Sequence, residues 1–281
     1  MTTINNKHVL ITGGASGLGR LLALRCAELG AAVTIWDLDA AGAEAVAAEA
    51  ETGAAGSTAG GAGTIRAFAC DVEDREQVYA RADEVRAAVG PVDILVNNAG
   101  IVSGKPLLEL PDERIELTFK VNALALFWTT KAFLPGMIDR GSGHVVNVAS
   151  AAGLIGSPRE TDYAASKFAA VGFNEALRLE LKRRAPGIRT TVICPFYIDT
   201  GMFAGVKTRF PLLLPILKEA DVTERILRGI QHDRPQVLMP FMVRTLPAMR
   251  LLPVWAFDRL ADFFGVTGAM DEFTGREESG V

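Results

Sequence analysis

The chain has 281 residues, of which 49% are hydrophobic and 22% are charged, and its formal net charge is −4. This composition is enough to build a sizeable buried core, and it gives no electrostatic reason to expect a nucleic-acid partner. The first residues lack the apolar core of a signal peptide and no uncharged run reaches the ~18 residues of a spanning helix, so we expect a cytoplasmic protein.

Short apolar runs alternate along the chain with longer segments of helical periodicity. This alternation is typical of βαβ units, in which helices cover both faces of a parallel sheet. The predicted fold is therefore one open α/β domain over residues 1–281. Its predicted strands are His8–Thr12, Ala32–Asp37, Thr64–Cys70, Ile94–Asn97, His144–Val148, Arg189–Cys194 and Gln236–Met239. Its predicted helices are Leu18–Leu29, Ala40–Glu51, Arg75–Val89, Asp112–Arg140, Asp162–Arg184 and Val222–Gln231.

Two compositional features bear on the surroundings of this domain. Thr52–Gly63 consists of Gly, Ala, Ser and Thr, which have too little apolar bulk to pack, and we predict a flexible loop inside the domain. Three cysteines lie far apart without Cys-x-x-Cys spacing, which indicates a reduced, intracellular protein. The three histidines are scattered without ligand spacing, so we expect no metal site.

A glycine-rich turn joins the first predicted strand to the first predicted helix. Glycines let backbone N–H groups approach a pyrophosphate, and the N-terminus of the following helix adds partial positive charge. An ordinary glycine-rich connection is the alternative interpretation. The residues predicted to contact the cofactor phosphates here are Gly13, Ser16, Gly17, Leu18 and Gly19.

The second predicted strand ends in Asp37, at the position where dinucleotide-binding folds place the adenosine ribose. A carboxylate there accepts hydrogen bonds from ribose hydroxyls and repels the 2′-phosphate of NADP. No Arg or Lys occurs at positions 36–43 to offset that repulsion, so the sequence predicts NAD. Asp71 and Val72, after the third strand, are predicted to lie at the adenine. Helix capping is the alternative for both aspartates, and Asp39 competes with Asp37 for that role.

Tyr163 and Lys167 are four residues apart in the fifth predicted helix, so their side chains share a face with Cβ atoms about 5–6 Å apart. The charge of the lysine favours ionisation of the tyrosine, whose pKa is normally about 10. A tyrosine beside this cation and an oxidised nicotinamide is suited to exchange a proton with an alcohol near neutral pH. Ser150 lies thirteen residues before Tyr163 and offers a hydroxyl to polarise the reacting oxygen.

These motifs together resemble the short-chain dehydrogenase/reductase family, over about residues 6–240. The matched segments are Thr12–Gly19, Asn97–Gly100, Asn122, Ser150 and Tyr163–Lys167. The resemblance implies one Rossmann-type, doubly wound domain with a central parallel sheet of seven strands, often assembled into homodimers or homotetramers.

The resemblance also implies roles for individual residues. Tyr163 is then the general acid/base, Lys167 binds the nicotinamide ribose, and Ser150 hydrogen-bonds the reacting oxygen. Asn122 supports a proton-relay water. Alternative interpretations are that Ser150 only ends a strand and that Asn122 is a buried helix kink. The further cofactor contacts implied are Asn98, Gly100, Ile198 and Thr200.

One position departs from the family pattern. Many members have Pro-Gly after the sixth strand, where this chain has Pro195 and Phe196. We expect the ring of Phe196 to line the nicotinamide pocket, and the assignment as a dehydrogenase is unchanged.

The C-terminal third is apolar and aromatic from Gly201 onward. In an open α/β sheet this segment covers the carboxyl ends of the strands, so we predict a substrate lid over residues 200–265. Packing against the core or a second subunit is the alternative. The tail resembles the retinol, 17β-hydroxysteroid and long-chain alcohol dehydrogenases of the family, which implies a lipophilic alcohol or carbonyl substrate.

Arg244, Arg250 and Arg259 lie among Phe, Trp and Leu in this segment. That pattern is typical of an interfacial helix on a membrane face, and a dimer contact is the alternative.

The sequence thus predicts an NAD-dependent oxidoreductase that interconverts a hydrophobic alcohol and its ketone or aldehyde, with Tyr163 as the acid/base. Two other functions remain open. One is a catalytically idle NAD-binding regulatory or scaffold protein, and the other is a dehydratase or epimerase on the same fold.

Overall fold

The structure, a computed structural model, describes residues 1–55 and 63–275. One sheet of seven strands, all paired in parallel, runs in the order β3-β2-β1-β4-β5-β6-β7. The strands are β1 His8–Thr12, β2 Ala32–Asp37, β3 Ile65–Ala69, β4 Ile94–Asn97, β5 Gly143–Val148, β6 Ile188–Pro195 and β7 Gln236–Met239. The helices are α1 Gly17–Glu28, α2 Ala40–Ala55, α3 Arg75–Ala88, α4 Asp112–Phe119, α5 Ala125–Asp139, α6 Thr161–Arg184, α7 Glu219–Gln231, α8 Leu246–Met249 and α9 Val254–Phe263.

Helices cover both faces of the sheet, as predicted for a doubly wound fold. Alternate residues of β1 pack against opposite faces of the sheet, which explains why its three central residues are all apolar. Val9 and Ile11 pack in a core with residues of α1, α2 and α7, whereas Leu10 packs in a second core with residues of α3, α5 and α6. β2 and β3 lie on one side of β1, whereas β4 to β7 lie on its other side. This reversal of strand order opens a crevice at the carboxyl ends of β1 and β4.

Most predicted elements agree with the structure within one or two residues, but three differ for physical reasons. The predicted loop Thr52–Gly63 begins too early, because α2 continues past Thr52 and Gly53 to end on Ala54 and Ala55, and alanine is the best helix former. Residues 56–62 of that predicted loop lie outside the described residues. The start of α7 is also earlier than predicted, at Glu219, since acidic residues suit a first helical turn.

The predicted long helix Asp112–Arg140 is interrupted. Its first part, α4, ends at Phe119, a π-helical turn occupies Lys120–Leu124, and α5 then begins at Ala125. Asn122 lies in this π turn and is buried. The periodicity of apolar residues continues across the turn, so the sequence pattern does not reveal it.

Within the apolar C-terminal third, the residues that follow β7 form short helical pieces. After β7 the chain makes a 3₁₀ turn at Phe241–Thr245, followed by α8 and α9. Among the helices that the structure describes, none is long and apolar enough to cross a membrane.

Candidate active site

A cleft of about 310 Å³ lies at the carboxyl ends of the strands, around the crevice between β1 and β4. Every predicted site residue except Asn122 lines it. These lining residues are Gly13, Ser16, Gly17, Leu18, Gly19, Asp37, Asp71, Val72, Asn98, Gly100, Ser150, Tyr163, Lys167, Ile198 and Thr200.

The glycine-rich turn forms the floor of this cleft. Gly13 has a φ of +68°, and its N–H donates to the carbonyl of Trp36 at 2.7 Å. A Cβ at position 19 would lie 2.0 Å from the carbonyl oxygen of Gly13, so only glycine lets α1 start this close to the turn. The Asn98 amide donates to the carbonyls of Thr12 and Gly13, at 3.0 and 2.9 Å, and holds the turn against β4. This compact turn with a helix N-terminus fits the pyrophosphate of a dinucleotide.

Asp37 lies at the end of β2 with its carboxylate facing the turn. One oxygen accepts from the N–H of Ala15 at 2.8 Å and the other from the N–H of Asp39 at 3.0 Å. The capping alternative belongs to Asp39, whose side chain accepts from the N–H of Gly42 at 2.9 Å. Asp37 is therefore free of that role and faces the cleft where an adenosine ribose fits.

Asp71 is likewise not the cap of the helix that follows it. Asp74 is the N-cap of α3, and its side chain accepts from the N–H groups of Glu76 and Gln77. The carboxylate of Asp71 accepts from the N–H of Glu73 at 3.0 Å and remains at the cleft.

Ser150, Tyr163 and Lys167 converge at the far end of the cleft. Ser150 follows β5, while the other two lie one turn apart on α6 with Lys167 Nζ 5.6 Å from the Tyr163 ring centroid. Lys167 Nζ donates to the carbonyl of Val148 at 3.0 Å. The three polar groups thus lie beside one another, against the last residues of β5.

Burial governs the ionisation of this group. It raises the pKa of Tyr163 above its usual range, while a hydrogen bond with Ser150 acts in the opposite direction. Burial also lowers the pKa of Lys167 to about 8, so the lysine is still largely cationic at neutral pH. In the protein without cofactor, desolvation of the phenol therefore outweighs the predicted lowering of the Tyr163 pKa by Lys167.

Asn122 lies behind the cleft rather than in its lining. Its amide oxygen accepts from the N–H of Ile101 at 2.9 Å, and its amide nitrogen donates to the Ile101 carbonyl at 2.9 Å and to Ser166 Oγ at 3.0 Å. A Cβ at Gly100 would be 3.3 Å from both the Asn122 oxygen and Lys167 Nζ. Asn122 thus connects the π turn to the loop after β4 and to α6. It lies in an interruption of the helix, as the alternative interpretation holds, and its amide oxygen also lies near Lys167 Nζ.

Sequence reasoning missed a buried carboxyl next to Tyr163. Glu160 is only 1% exposed; one carboxyl oxygen accepts from Tyr197 Oη at 3.3 Å, and the other has no hydrogen-bond partner among the described residues. Burial raises the pKa of Glu160 to about 7. In the sequence, an acidic residue just before a helix is indistinguishable from an ordinary favourable charge at a helix N-terminus.

Aromatic side chains pack around the reacting groups, and one of them also lines a second cavity. Phe203 packs edge-on against Tyr163 with ring centroids 5.8 Å apart, and Tyr197 packs on Phe203 at 5.1 Å. Phe196 lines the cleft, as predicted, and also the second cavity. Apart from Thr245, the second cavity is lined by apolar residues, most of them from the predicted lid: Ala151, Ile155, Phe196, Leu214, Met242, Val243, Leu246, Met249, Phe257, Ala261, Phe264 and Val266.

A glycine turn at a helix N-terminus, a carboxylate at the end of β2 and a cleft at the reversal of strand order together define a Rossmann-type dinucleotide site. The family model described as short chain dehydrogenase matches residues 7–209.

Similar proteins and structures agree with this class. Epidermal retinol dehydrogenase 2 of Homo sapiens is 43% identical over 272 residues, which cover 96% of this chain and 86% of that protein. Retinol dehydrogenase 10-B of Danio rerio is 40% identical over 294 residues, with 99% and 88% covered.

Two solved structures are each 27% identical to the chain. A short-chain dehydrogenase/reductase from Burkholderia phymatum in complex with NAD has a TM-score of 0.78, covering 89% of this chain and 95% of that one. A metagenomic short-chain oxidoreductase in complex with NADP has a TM-score of 0.68, covering 84% and 97%. The chain belongs to the short-chain dehydrogenase/reductase family, in its retinol dehydrogenase branch, and is an oxidoreductase with a nicotinamide cofactor.

Proposed function

We propose that the protein is an NAD-dependent oxidoreductase that interconverts a hydrophobic alcohol and its aldehyde or ketone, with Tyr163 as the acid/base. The observation that carries the proposal is the convergence of Ser150, Tyr163 and Lys167 in one cleft, with the Lys167 ammonium 5.6 Å from the centroid of the Tyr163 ring. When bound, the nicotinamide ring supplies the acceptor or donor of the hydride.

The chain's own residues then handle the oxygen and its proton. Ser150 donates a hydrogen bond to the substrate oxygen and holds it at the phenol. Tyr163 removes the hydroxyl proton during oxidation and returns it during reduction. Because burial disfavours the phenolate, positive charge from Lys167 and from the oxidised cofactor is needed to make Tyr163 an effective base.

The choice of NAD rests on Asp37. Its carboxylate is held at the ribose position by backbone N–H groups, and it repels a 2′-phosphate. Among the described residues that line the cleft, Lys167 is the one cationic side chain, and it lies at the other end beside Tyr163. Among the described lining residues, none at the ribose end carries a positive charge that would offset the repulsion.

The proposed substrate is lipophilic because the space next to the reacting groups is apolar. The second cavity adjoins the cleft at Phe196 and also includes Ala151, the neighbour of Ser150. Apolar linings of this kind accommodate hydrocarbon parts of ligands. The retinol dehydrogenases to which the chain is similar carry a lipophilic alcohol in their names, which supports the same class.

The two other functions have less support. A protein that only binds NAD would not need Ser150, Tyr163 and Lys167 to converge in one cleft. A dehydratase or epimerase needs a second acid/base at the substrate, and the buried carboxyl of Glu160 does not line the cleft. Assembly into a homodimer or homotetramer and a cytoplasmic location stay predictions.

The coenzyme and the reaction are tested together with purified protein, NAD or NADP, and alcohols of increasing hydrocarbon length. Reduced cofactor, measured by its absorbance, is expected to form at least about tenfold faster with NAD and faster with the longer alcohols. In Asp37→Ala the ratio of the rate with NAD to the rate with NADP is expected to decrease, since the charge that repels the 2′-phosphate is removed.

Asp83→Ala is the matched control, because Asp83 is an exposed aspartate on α3 outside the cleft. This variant should keep the wild-type coenzyme preference. Equal use of NAD and NADP by the unaltered protein would contradict the assignment of Asp37.

A further inference from the structure

Residues 266–275, here called the strap, follow α9 and lie against the segment after β6. Backbone hydrogen bonds join the two segments. The N–H of Thr274 donates to the carbonyl of Ala204 at 2.9 Å, and the N–H of Lys207 donates to the carbonyl of Ala269 at 3.2 Å. The strap is therefore fixed to the chain at residues 204–207.

The strap also contacts the loop after β4, through Phe273. The edge of this ring lies against Gly104, whose φ is +69° and where a Cβ would overlap with the ring. Ser103, the preceding residue, donates through its Oγ to the carboxylate of Asp162 at 2.7 Å. Asp162 is buried and directly precedes Tyr163 on α6. The Phe273 ring thus packs where the loop after β4 is bonded to the start of α6.

The two segments that Phe273 joins both supply apolar side chains to the surroundings of Tyr163. Val102, in the loop after β4, and Phe203, in the segment after β6, pack against the buried cluster that contains this tyrosine. Phe203 and Phe273 in turn pack against a common cluster that includes Tyr197. With these contacts in place, Tyr163 is only 5% exposed.

The charges around the phenol come from other parts of the fold. The titratable groups that act on it or adjoin it on α6 are Glu160, Asp162, Lys167, Cys194 and Tyr197. None of these residues belongs to the strap. The charged residues within the described strap, Asp271 and Glu272, are exposed. A change at Phe273 therefore acts on Tyr163 by admitting water rather than by altering a charge.

We propose that Phe273 is a positioning residue, whose ring holds the loop after β4 against the segment after β6 so that their apolar side chains keep water away from Tyr163. The inference rests on the proposed function, because shielding of the phenol affects the reaction only if Tyr163 is the acid/base. Exclusion of water strengthens electrostatic interactions within a site, including that of the Lys167 ammonium with the phenolate. Phe273 itself does not line the cleft, so it acts through Val102 and Phe203.

Nitration by tetranitromethane, a reagent for accessible phenols, tests the shielding in the full chain without turnover. In Phe273→Ala the rate of nitration at Tyr163, followed by mass spectrometry of peptides, is expected to rise about tenfold, because the two segments separate more often. Tyr79, a partly exposed residue of α3, is the internal reference and should react at the wild-type rate. Phe68→Ala truncates a partly buried phenylalanine of β3 that packs in the second core, and should leave nitration of Tyr163 unchanged.

Kinetics distinguish positioning from a general loss of stability. In Phe273→Ala the kcat of alcohol oxidation is expected to fall about tenfold while KM for NAD stays within about twofold, because Phe273 does not line the dinucleotide cleft. The pH at which kcat/KM is half-maximal is expected to fall, since a phenol in contact with water ionises more readily than a desolvated one. Phe273→Leu keeps apolar bulk at Gly104 and should recover most of the shielding and of the turnover.

Two results would overturn the proposal. The first is a rate of nitration at Tyr163 that is unchanged in Phe273→Ala, or that rises in parallel with the rate at Tyr79. The second is a pH profile of Phe273→Ala that coincides with that of the wild type, which would leave the ring with a structural role alone. Failure of the proposed function has a different signature: Tyr163→Phe would then keep its turnover, while nitration of Tyr163 would still differ between Phe273→Ala and the wild type.

Discussion

The phenol of Tyr163 has two neighbours that act on its ionisation in opposite directions. Its hydrogen bond with Ser150 lowers the pKa, and the buried carboxylate of Glu160 raises it further beyond the effect of burial. Glu160 reaches Tyr197 rather than the cleft, so it acts through its charge and not by touching substrate. We therefore expect Glu160 to be a positioning residue for the proton transfer.

Glu160→Gln should shift the pH dependence of alcohol oxidation towards lower pH. The pKa of Glu160 is raised to about 7, so its negative charge is largely absent below pH 7 and present above it. Above pH 7 the negative charge of Glu160 in the wild type opposes ionisation of Tyr163, whereas the glutamine of the variant is neutral at every pH. The variant is thus expected to reach its maximal kcat/KM at a lower pH, while the two profiles approach each other on the acidic side.

Glu175→Gln serves as control, because Glu175 is an exposed residue of α6, the helix that carries Tyr163. Its pH profile should match that of the wild type. Superimposable profiles for Glu160→Gln and wild type above pH 7 would exclude this electrostatic role.

The π turn at Lys120–Leu124 places Asn122 next to the candidate site. It turns Asn122 towards the loop after β4, where its amide makes two bonds to Ile101 and one to Ser166. Such turns within helices are frequent at functional sites because they insert one extra residue into the helical path.

Asn122→Ala should lower the free energy of unfolding by about 2–4 kcal/mol, since three hydrogen bonds of a buried side chain are lost together. Urea unfolding followed by circular dichroism measures the change. Lys131→Ala, at an exposed position of α5, should change it by less than about 0.5 kcal/mol. A stability of Asn122→Ala equal to that of wild type would mean that these bonds do not hold the turn.

The sequence determines the strands more clearly than the interruptions of the helices. β1 and β4 each contain three consecutive apolar residues next to polar ones, and this pattern predicts the two strands. The π turn is different, because a single additional residue leaves the apolar periodicity on both sides unchanged. The end of α2 was missed because alanine permits a helix as readily as a low-complexity loop.

In the candidate site too, the sequence predicts some features and not others. Glycine turns and Tyr163 with Lys167 depend on local spacing, and the sequence predicts them. Glu160, the aromatic contacts of Phe203 and the second cavity depend on how the C-terminal third folds over the sheet, and no local pattern specifies that arrangement.

The parallel sheet unites groups that are distant in the chain. Its carboxyl edge collects the glycine turn after β1, Asp37 at the end of β2, Ser150 after β5 and Ile198 after β6 in one cleft. α6 then brings Tyr163 to the same edge. The position of Tyr163 beside Ser150 and Lys167 in this cleft is the feature on which the proposed chemistry depends.

The rate of NAD reduction by Tyr163→Phe, with a lipophilic alcohol as substrate, tests that feature most directly. The ring and its packing against Phe203 are retained, so NAD binding should stay within about twofold of wild type, while turnover should fall about a thousandfold because the proton acceptor is gone. Turnover by this variant within tenfold of the wild-type rate would contradict the assignment of Tyr163 as the acid/base.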